Sequence, residues 1–481
     1  MIPTQFKRTH LSNALLCAAA VLTSVSLASA QPRPSLPPNS PFAGGVPEGM
    51  VSKDTLSLTV FDVIERALRH NLGVLLAEQS TERASGTHAV ARADLLPNVT
   101  ASASVSRRKN NLEAFGFPLD ASPLIATFPK IVGPFTVFDA RVFLEQSVFD
   151  LSAINEAKAE GFNLAAARHS NRSARDLVVL VAANAYLQVM ATSARATSAR
   201  AQLETAGALH RQAQSLRESG LVAGVDVIRA EVRLTTERQR TTAAENDFQK
   251  SKLQLARVIG LPIGQSFTLS EVIPNVPAPT MTFDDALERA YRQRPDYLAA
   301  LDRVRAAEAS RRAVVGEGLP SFKLRADYGT IGLTLNTSLP TFNLTGELGV
   351  PIFEGGRQQG KLAEADADLR ERRAEADDMK TEVYYDVRSA FLDLQSTEEQ
   401  LTAATRAREL AALQLTQSRD RFAAGVVSNI EVVQAQEAVA LASEQFINAQ
   451  YGFNLAKAML ARSLGSAEDA VKALLGGGGN R

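Results

Sequence analysis

Cysteine is almost missing from this chain of 481 residues, with Cys17 the one example. A mature chain cut after residue 30 would hold none, which excludes disulfides and cysteine-based zinc sites. Charge of one sign is missing too. The 52 Lys+Arg and 52 Asp+Glu cancel to a formal net charge of zero, and a neutral chain lacks the basic face that nucleic-acid binding needs. The five histidines, His10, His70, His88, His169 and His210, are scattered without paired-ligand spacing, so neither a metal site nor a cofactor is expected. No nucleophile–base pair and no phosphate loop can be found, and the chain is not expected to be an enzyme. Past the N-terminus no apolar run reaches the roughly 18 residues of a membrane helix. The best stretch, 177–191, contains Asn184 and Gln188.

What the chain does have begins with a targeting pattern. Lys7 and Arg8 precede an apolar stretch at 14–22, and Ala28, Ser29 and Ala30 supply small residues for cleavage. Residues 1–30 are read as a signal peptide and the protein as exported. Leu16 precedes Cys17 where a lipid-attachment site has a small residue, and the apolar run continues past it, so lipidation is disfavoured. An exported protein without a membrane helix is either soluble or a β-barrel of an outer membrane.

The chain is also written twice. "LTVFDVIERAL" at 58 returns as "MTFDDALERAY" at 281, a shift of 223, and Pro97 returns as Pro320 with the same shift. "SVFDLSAINEAKAE" at 147 returns at 351 as "PIFEGGRQQGKLAE", a shift of 204. "GLVAGVDVIRAE" at 220 returns from 425 as "GVVSNIEVVQAQ", and "ARVIG" at 256 returns at 461 as "ARSLG", both shifts of 205. The first copy carries about 19 extra residues within 110–134, from the difference of 223 and 204. The expected organisation is a Pro-rich segment 31–57, a first repeat 58–270, a linker 271–280, a second repeat 281–465 and a flexible tail 466–481.

Each copy reads as helix, strand, loop, strand, very long helix, turn and long helix. Val99, Ala101, Ala103 and Val105 alternate with Thr100, Ser102, Ser104 and Ser106, and Phe322, Leu324, Ala326 and Tyr328 alternate with Lys323, Arg325 and Asp327. Period two marks strands with one apolar and one polar face. Strands are predicted at about 97–107, 136–149, 320–329 and 341–353, each near the length of a membrane-spanning strand. Unbroken helix is predicted over about 156–218 and 360–422, each about 90 Å long. Val387, Leu394 and Leu401 recur at heptad spacing with Ala390 and Ala404 beside them, the pattern of an antiparallel coiled coil.

Four strands cannot close a barrel in lipid, because an open edge leaves backbone groups unsatisfied. Two chains would give eight strands and a filled interior, and three would give twelve and an aqueous lumen. Tryptophan is absent, so an aromatic girdle would have to use Phe and Tyr.

Duplicated in order, "LTVFDVIERAL", "LLPNVTASAS", "GLPSFKLRADYG", "VPIFEGGRQQGKLAEA", "GLVAGVDVIRAE" and "AGVVSNIEVVQAQEA" make the mature chain resemble the TolC-type outer membrane efflux family. The resemblance implies a mainly α fold with a small β-barrel. A homotrimer would form a 12-stranded outer-membrane barrel continuing into an α-helical coiled-coil tunnel across the periplasm. The implied partners are outer-membrane lipid, a periplasmic adaptor (membrane fusion protein) and an inner-membrane pump. The function implied is the exit duct of a tripartite efflux or type I secretion system.

By the same resemblance, the turns at 219–224 and 424–428 are the periplasmic tips. Gly220, Leu221, Val222, Ala223, Gly425, Val426 and Val427 are then the adaptor contacts, and Asp226, Phe422, Glu431 and Arg421 form the periplasmic gate. Gln434 stands where the family has a second acid. Val427 stands where a basic partner for Asp226 is expected, with Arg421 as the substitute. Helix capping is the plainer role for Asp226 and Glu431. The rival to the duct is a soluble periplasmic coiled-coil scaffold or adaptor.

Overall fold

The computed structural model describes residues 40–112, 114, 130–220, 222–270, 281–424, 426–427, 429–468 and 471. The signal peptide, the linker 271–280 and most of the tail lie outside them.

The chain opens with the short strand β1 (Leu56–Leu58) and the helices α1 (Val60–His70) and α2 (Leu72–Ala93). Next come strands β2 (Asn98–Asn111) and β3 (Ile131–Phe149) and the helices α3 (Leu151–Glu218) and α4 (Gly224–Val258). After β4 (Phe267–Leu269) the order repeats as α5 (Phe283–Gln293), α6 (Pro295–Glu317), β5 (Ser321–Gly332), β6 (Leu339–Gly349), α7 (Arg357–Ala423) and α8 (Asn429–Ser463). Twin helices match in length: 11 and 11 residues, 22 and 23, 68 and 67, 35 and 35. At 1.5 Å per residue α3 and α7 each run about 100 Å.

The single leading helix expected in each copy is in fact two. Thr59 starts α1 through a capping box: the Asp62 N–H donates to its hydroxyl, and its own N–H donates to the Asp62 carboxylate. Thr282, 223 residues on, caps α5 the same way toward the Asp285 N–H. The break between α1 and α2 is Asn71, fully buried, whose carbonyl caps the Gly73 N–H while its amide donates to the carbonyls of Phe42 and Val258. At the twin break stands Arg294, before Pro295 at the first helical position of α6, where a missing N–H is harmless.

The four large strands form one antiparallel sheet in the order β2-β3-β5-β6, so β2 and β6 are its free edges. β6 stops at Gly349 rather than continuing to 353 as the alternation suggests, because Pro351 has no N–H for a ladder. β3 starts earlier than expected, at Ile131. The two-stranded parallel sheet of β1 and β4 was not expected at all, since three-residue strands carry too little alternation to read.

Among the described residues two large apolar clusters hold the helices, and a small third one, of Ala213, Val227 and Ala230, lies near the first turn. Val178, Val179, Ala182, Ala183, Tyr186 and Leu187 of α3 pack with Val60, Val63, Ile64 and Ala67 of α1 and with Leu255 and Val258 of α4. Val383, Val387, Ala390 and Leu394 of α7 pack with Ala286 and Ala290 of α5 and Phe453, Ala456 and Leu460 of α8. Three residues of the apolar heptad rows, Val387, Ala390 and Leu394, are therefore core. By length and composition a window of α3 is apolar enough to cross a bilayer, with mean hydropathy 1.6, where no such stretch was expected. Over half of that window is buried inside the protein, so its apolar side is already used.

Candidate functional site: the sheet faces and the hairpin turns

Register sorts the sheet into two faces. Tyr328 lies between Val142 and Phe342, and Ala326 between Leu144 and Leu344; with Val99, Val105 and Leu348 they make one apolar face. Phe342 is 79% exposed, Val105 69% and Leu344 66%. An apolar face this bare is costly in water, at about 25 cal/mol per Å², and fits contact with lipid. The opposite face carries charge in paired tiers. Arg141 bonds Asp139 at 2.7 Å and Asp327 at 3.2 Å, while Arg325 bonds Glu347 at 2.6 Å and Glu145 at 3.4 Å.

The hairpin turns lie at the far ends of the long helices. At the first, Gly220 takes φ of 72°, a left-handed conformation natural to glycine, and its N–H donates to the Arg217 carbonyl. Ala223 begins α4 without a side-chain cap, is exposed, and Val222 is half-buried. At the second turn the Val426 N–H donates to the Arg421 carbonyl, and Val426 is 68% exposed; Val427 is half-buried. Leu221 and Gly425 lie outside the described residues.

The four residues read as a gate fall into two pairings. Arg421, in the last turn of α7, bonds Glu431, in the first turn of α8, at 2.8 Å. This bridge spans the second turn. Asp226 pairs with Arg229, one turn on in α4, at 3.1 Å. Within the chain Arg421 bonds Glu431, and Asp226 bonds Arg229. Asp226 makes no cap bond in this structure, so its plainer role reduces to a favourable charge at a helix N-terminus. Phe422 is half-buried beside them in sequence.

Two charged clusters escaped the sequence reading. Beyond the first turn, Arg233 of α4 bonds Glu237 at 2.9 Å and Glu437 of α8 at 3.0 Å, and Arg240 bonds Glu237 at 3.0 Å. Glu237 is 1% exposed. The cluster borders a cavity of about 210 Å³ lined also by Gln202, Leu415 and Gln436. The clue in the sequence was the spacing of Arg233, Glu237 and Arg240, which stacks three charges on one helix face. The second cluster surrounds Arg294, which bonds Asp296 at 2.6 Å and Asp386 at 2.8 Å. Although burial disfavours its charge, these carboxylates hold the Arg294 pKa above its ordinary value. Burial pushes the neighbouring Asp176 up to about 6.

The chain thus combines two helices of about 100 Å, each turning into one of 35 residues, with an amphipathic sheet open at both edges. The chain belongs to the outer membrane efflux protein family, whose sequence profile matches residues 63–261 and 286–466. Among its relatives, the pyoverdine export outer membrane protein OpmQ of Pseudomonas putida is 24% identical over 462 residues, covering 94% of this chain and 95% of OpmQ. The cation efflux system protein CusC of Escherichia coli is 24% identical over 479 residues, covering 93% and 98%. The CmeC outer membrane channel of Campylobacter jejuni superposes with a TM-score of 0.73 at 17% identity, over 92% of this chain and 96% of CmeC. The open-state MtrE outer membrane channel of Neisseria gonorrhoeae gives 0.71 at 18% identity, over 87% and 94%. The protein is therefore an outer-membrane efflux channel component with the TolC-like fold, and the family is one of transport channels. The soluble scaffold reading falls with that membership.

Proposed function

We propose that three copies pool their sheets into one barrel, 3 × 4 = 12 strands, with apolar faces toward lipid and charged faces toward a water-filled bore. The single observation that carries this reading is the sheet itself: bare apolar side chains on one face and unpaired backbone at both edges. Joining β6 of one copy to β2 of the next removes every edge. The long hairpins then extend the bore as a tunnel through the periplasm, and the duct passes its cargo without chemistry of its own.

The turns at 219–224 and 424–428 form the periplasmic end of this tunnel. Gly220, Leu221, Val222, Ala223, Gly425, Val426 and Val427 meet a periplasmic adaptor that links the duct to an inner-membrane pump. Opening moves the α7–α8 hairpin outward, driven by the pump, with Arg421–Glu431, Phe422 and Asp226 at the neck. Three Glu431 carboxylates around a threefold axis make a cation-preferring ring. The pyoverdine export named for OpmQ and the cation efflux named for CusC support small solutes as cargo.

The test is planar-bilayer recording of the purified full chain. The expected result is small, cation-preferring conductance that rises when Glu431→Ala removes the ring. Unchanged conductance and selectivity in that variant would remove the gate assignment and leave the duct. A chain that opens no conductance would remove both.

A further inference from the structure

We propose that Arg141 is the specificity-determining residue of the barrel bore: it cancels the carboxylates of Asp139 and Asp327 and so keeps this wall from selecting solutes by charge. The inference rests on the trimeric-barrel reading above, which turns the polar face of the sheet inward.

Register places Arg108, Asp139, Arg141, Glu145, Lys323, Arg325, Asp327 and Glu347 on that face. Four positive and four negative groups cancel on that face, while Arg107 falls on the opposite face and Lys109 sits at the bulge without a register partner. The cancellation is local and built in. Arg141 Nε donates to Asp139 at 2.7 Å and a terminal nitrogen donates to Asp327 on the neighbouring strand at 3.2 Å. The Arg141 side chain is 24% exposed and that of Asp327 only 14%, against 52% for Arg325 in the second tier. The space for this arrangement comes from Gly329, directly across from Arg141. A Cβ at Gly329 would stand 2.1 Å from the Ala140 carbonyl oxygen and 2.6 Å from both the Cα and the Cγ of Arg141, so any other residue would collide with the β3 backbone as well as with the arginine stem. One arginine thus holds two acids in a fixed geometry.

Wall charges matter in such a bore. Screening at physiological salt extends over about 8 Å, and lumen substitutions tune barrel selectivity. Losing Arg141 from three copies would leave six uncompensated carboxylates in one ring, from 3 × 2.

The experiment measures reversal potentials of the full chain in planar bilayers under a KCl gradient, in a Glu431→Gln, Arg421→Gln background that removes the ion pair of the neck. The background is expected to pass K⁺ and Cl⁻ nearly equally. Arg141→Gln is expected to raise the K⁺ over Cl⁻ permeability ratio several-fold, more at low salt than at 1 M. The triple variant Arg141→Gln, Asp139→Asn, Asp327→Asn is expected to return to the background. Arg141→Lys keeps the charge without the fork and is expected to hold the background ratio. An unchanged ratio in Arg141→Gln, a persistent shift in the triple variant or a shift in Arg141→Lys would each overturn the inference while leaving the barrel standing. A background chain that forms no channel would overturn the barrel reading and this inference with it.

Discussion

Asp176 shows how one residue can carry a pH dependence. It lines a cavity of about 100 Å³ with Arg294, Asp296, Asp386, Asp393 and Arg462. Burial raises its pKa from 3.8 to about 6, Arg462 opposes that rise, and Glu468 and Asp296 add to it. A carboxyl whose folded pKa exceeds its unfolded value costs stability once ionised. The cost is absent below pH 3.8, grows between pH 3.8 and about 6, and is complete above it. Asp176→Asn should therefore stabilise the protein at pH 7.5 by up to about 3 kcal/mol and make no difference near pH 3.5. Thermal unfolding at both values checks this, and equal gains at both would show that ionisation is not the cause. Neither Asp176 nor Arg294 stood out in the sequence. A lone acid in a long helix looks solvated until its neighbours from three other helices are known.

At the scale of elements, the Arg233 cluster ties the two hairpins together through α4 and α8. Removing one member of a buried ion network strands the others, typically at about 3–5 kcal/mol. Arg233→Ala leaves Glu237 buried with Arg240 alone, so it should lower stability by about 3 kcal/mol and speed proteolysis near the turns. Glu437→Gln removes a half-exposed partner and should cost under about 1 kcal/mol. Equal effects of the two variants would show that burial does not govern the network. The helices themselves were legible, because uninterrupted periodicity over sixty residues has few other meanings. The split of each leading helix was not. Asn71 breaks the chain by capping with its own side chain, while Arg294 does so beside a proline, and neither interrupts the apolar pattern.

At the scale of the molecule, the proposed assembly rests on the sheet. Its apolar face has no cover within the chain, and its edges have no partner among the described residues. The chain should require detergent once extracted and should run as a trimer that heat converts to monomer. A monodisperse monomer without detergent, seen by light scattering, would contradict the barrel. Phospholipid vesicles should restore the heat-labile band after detergent is removed.

The sequence by itself determined the duplication, the strand pairs and their faces, and the great length of the hairpins, because period two, period 3.6 and internal repetition are local properties of the chain. Tertiary structure decided which charges meet. Arg421 bonds Glu431 across the second turn, Arg233 reaches Glu437 across 204 residues, and Arg141 reaches Asp327 across 186. Ion pairing depends on distances of about 3 Å between segments far apart in the chain, and no periodicity encodes them.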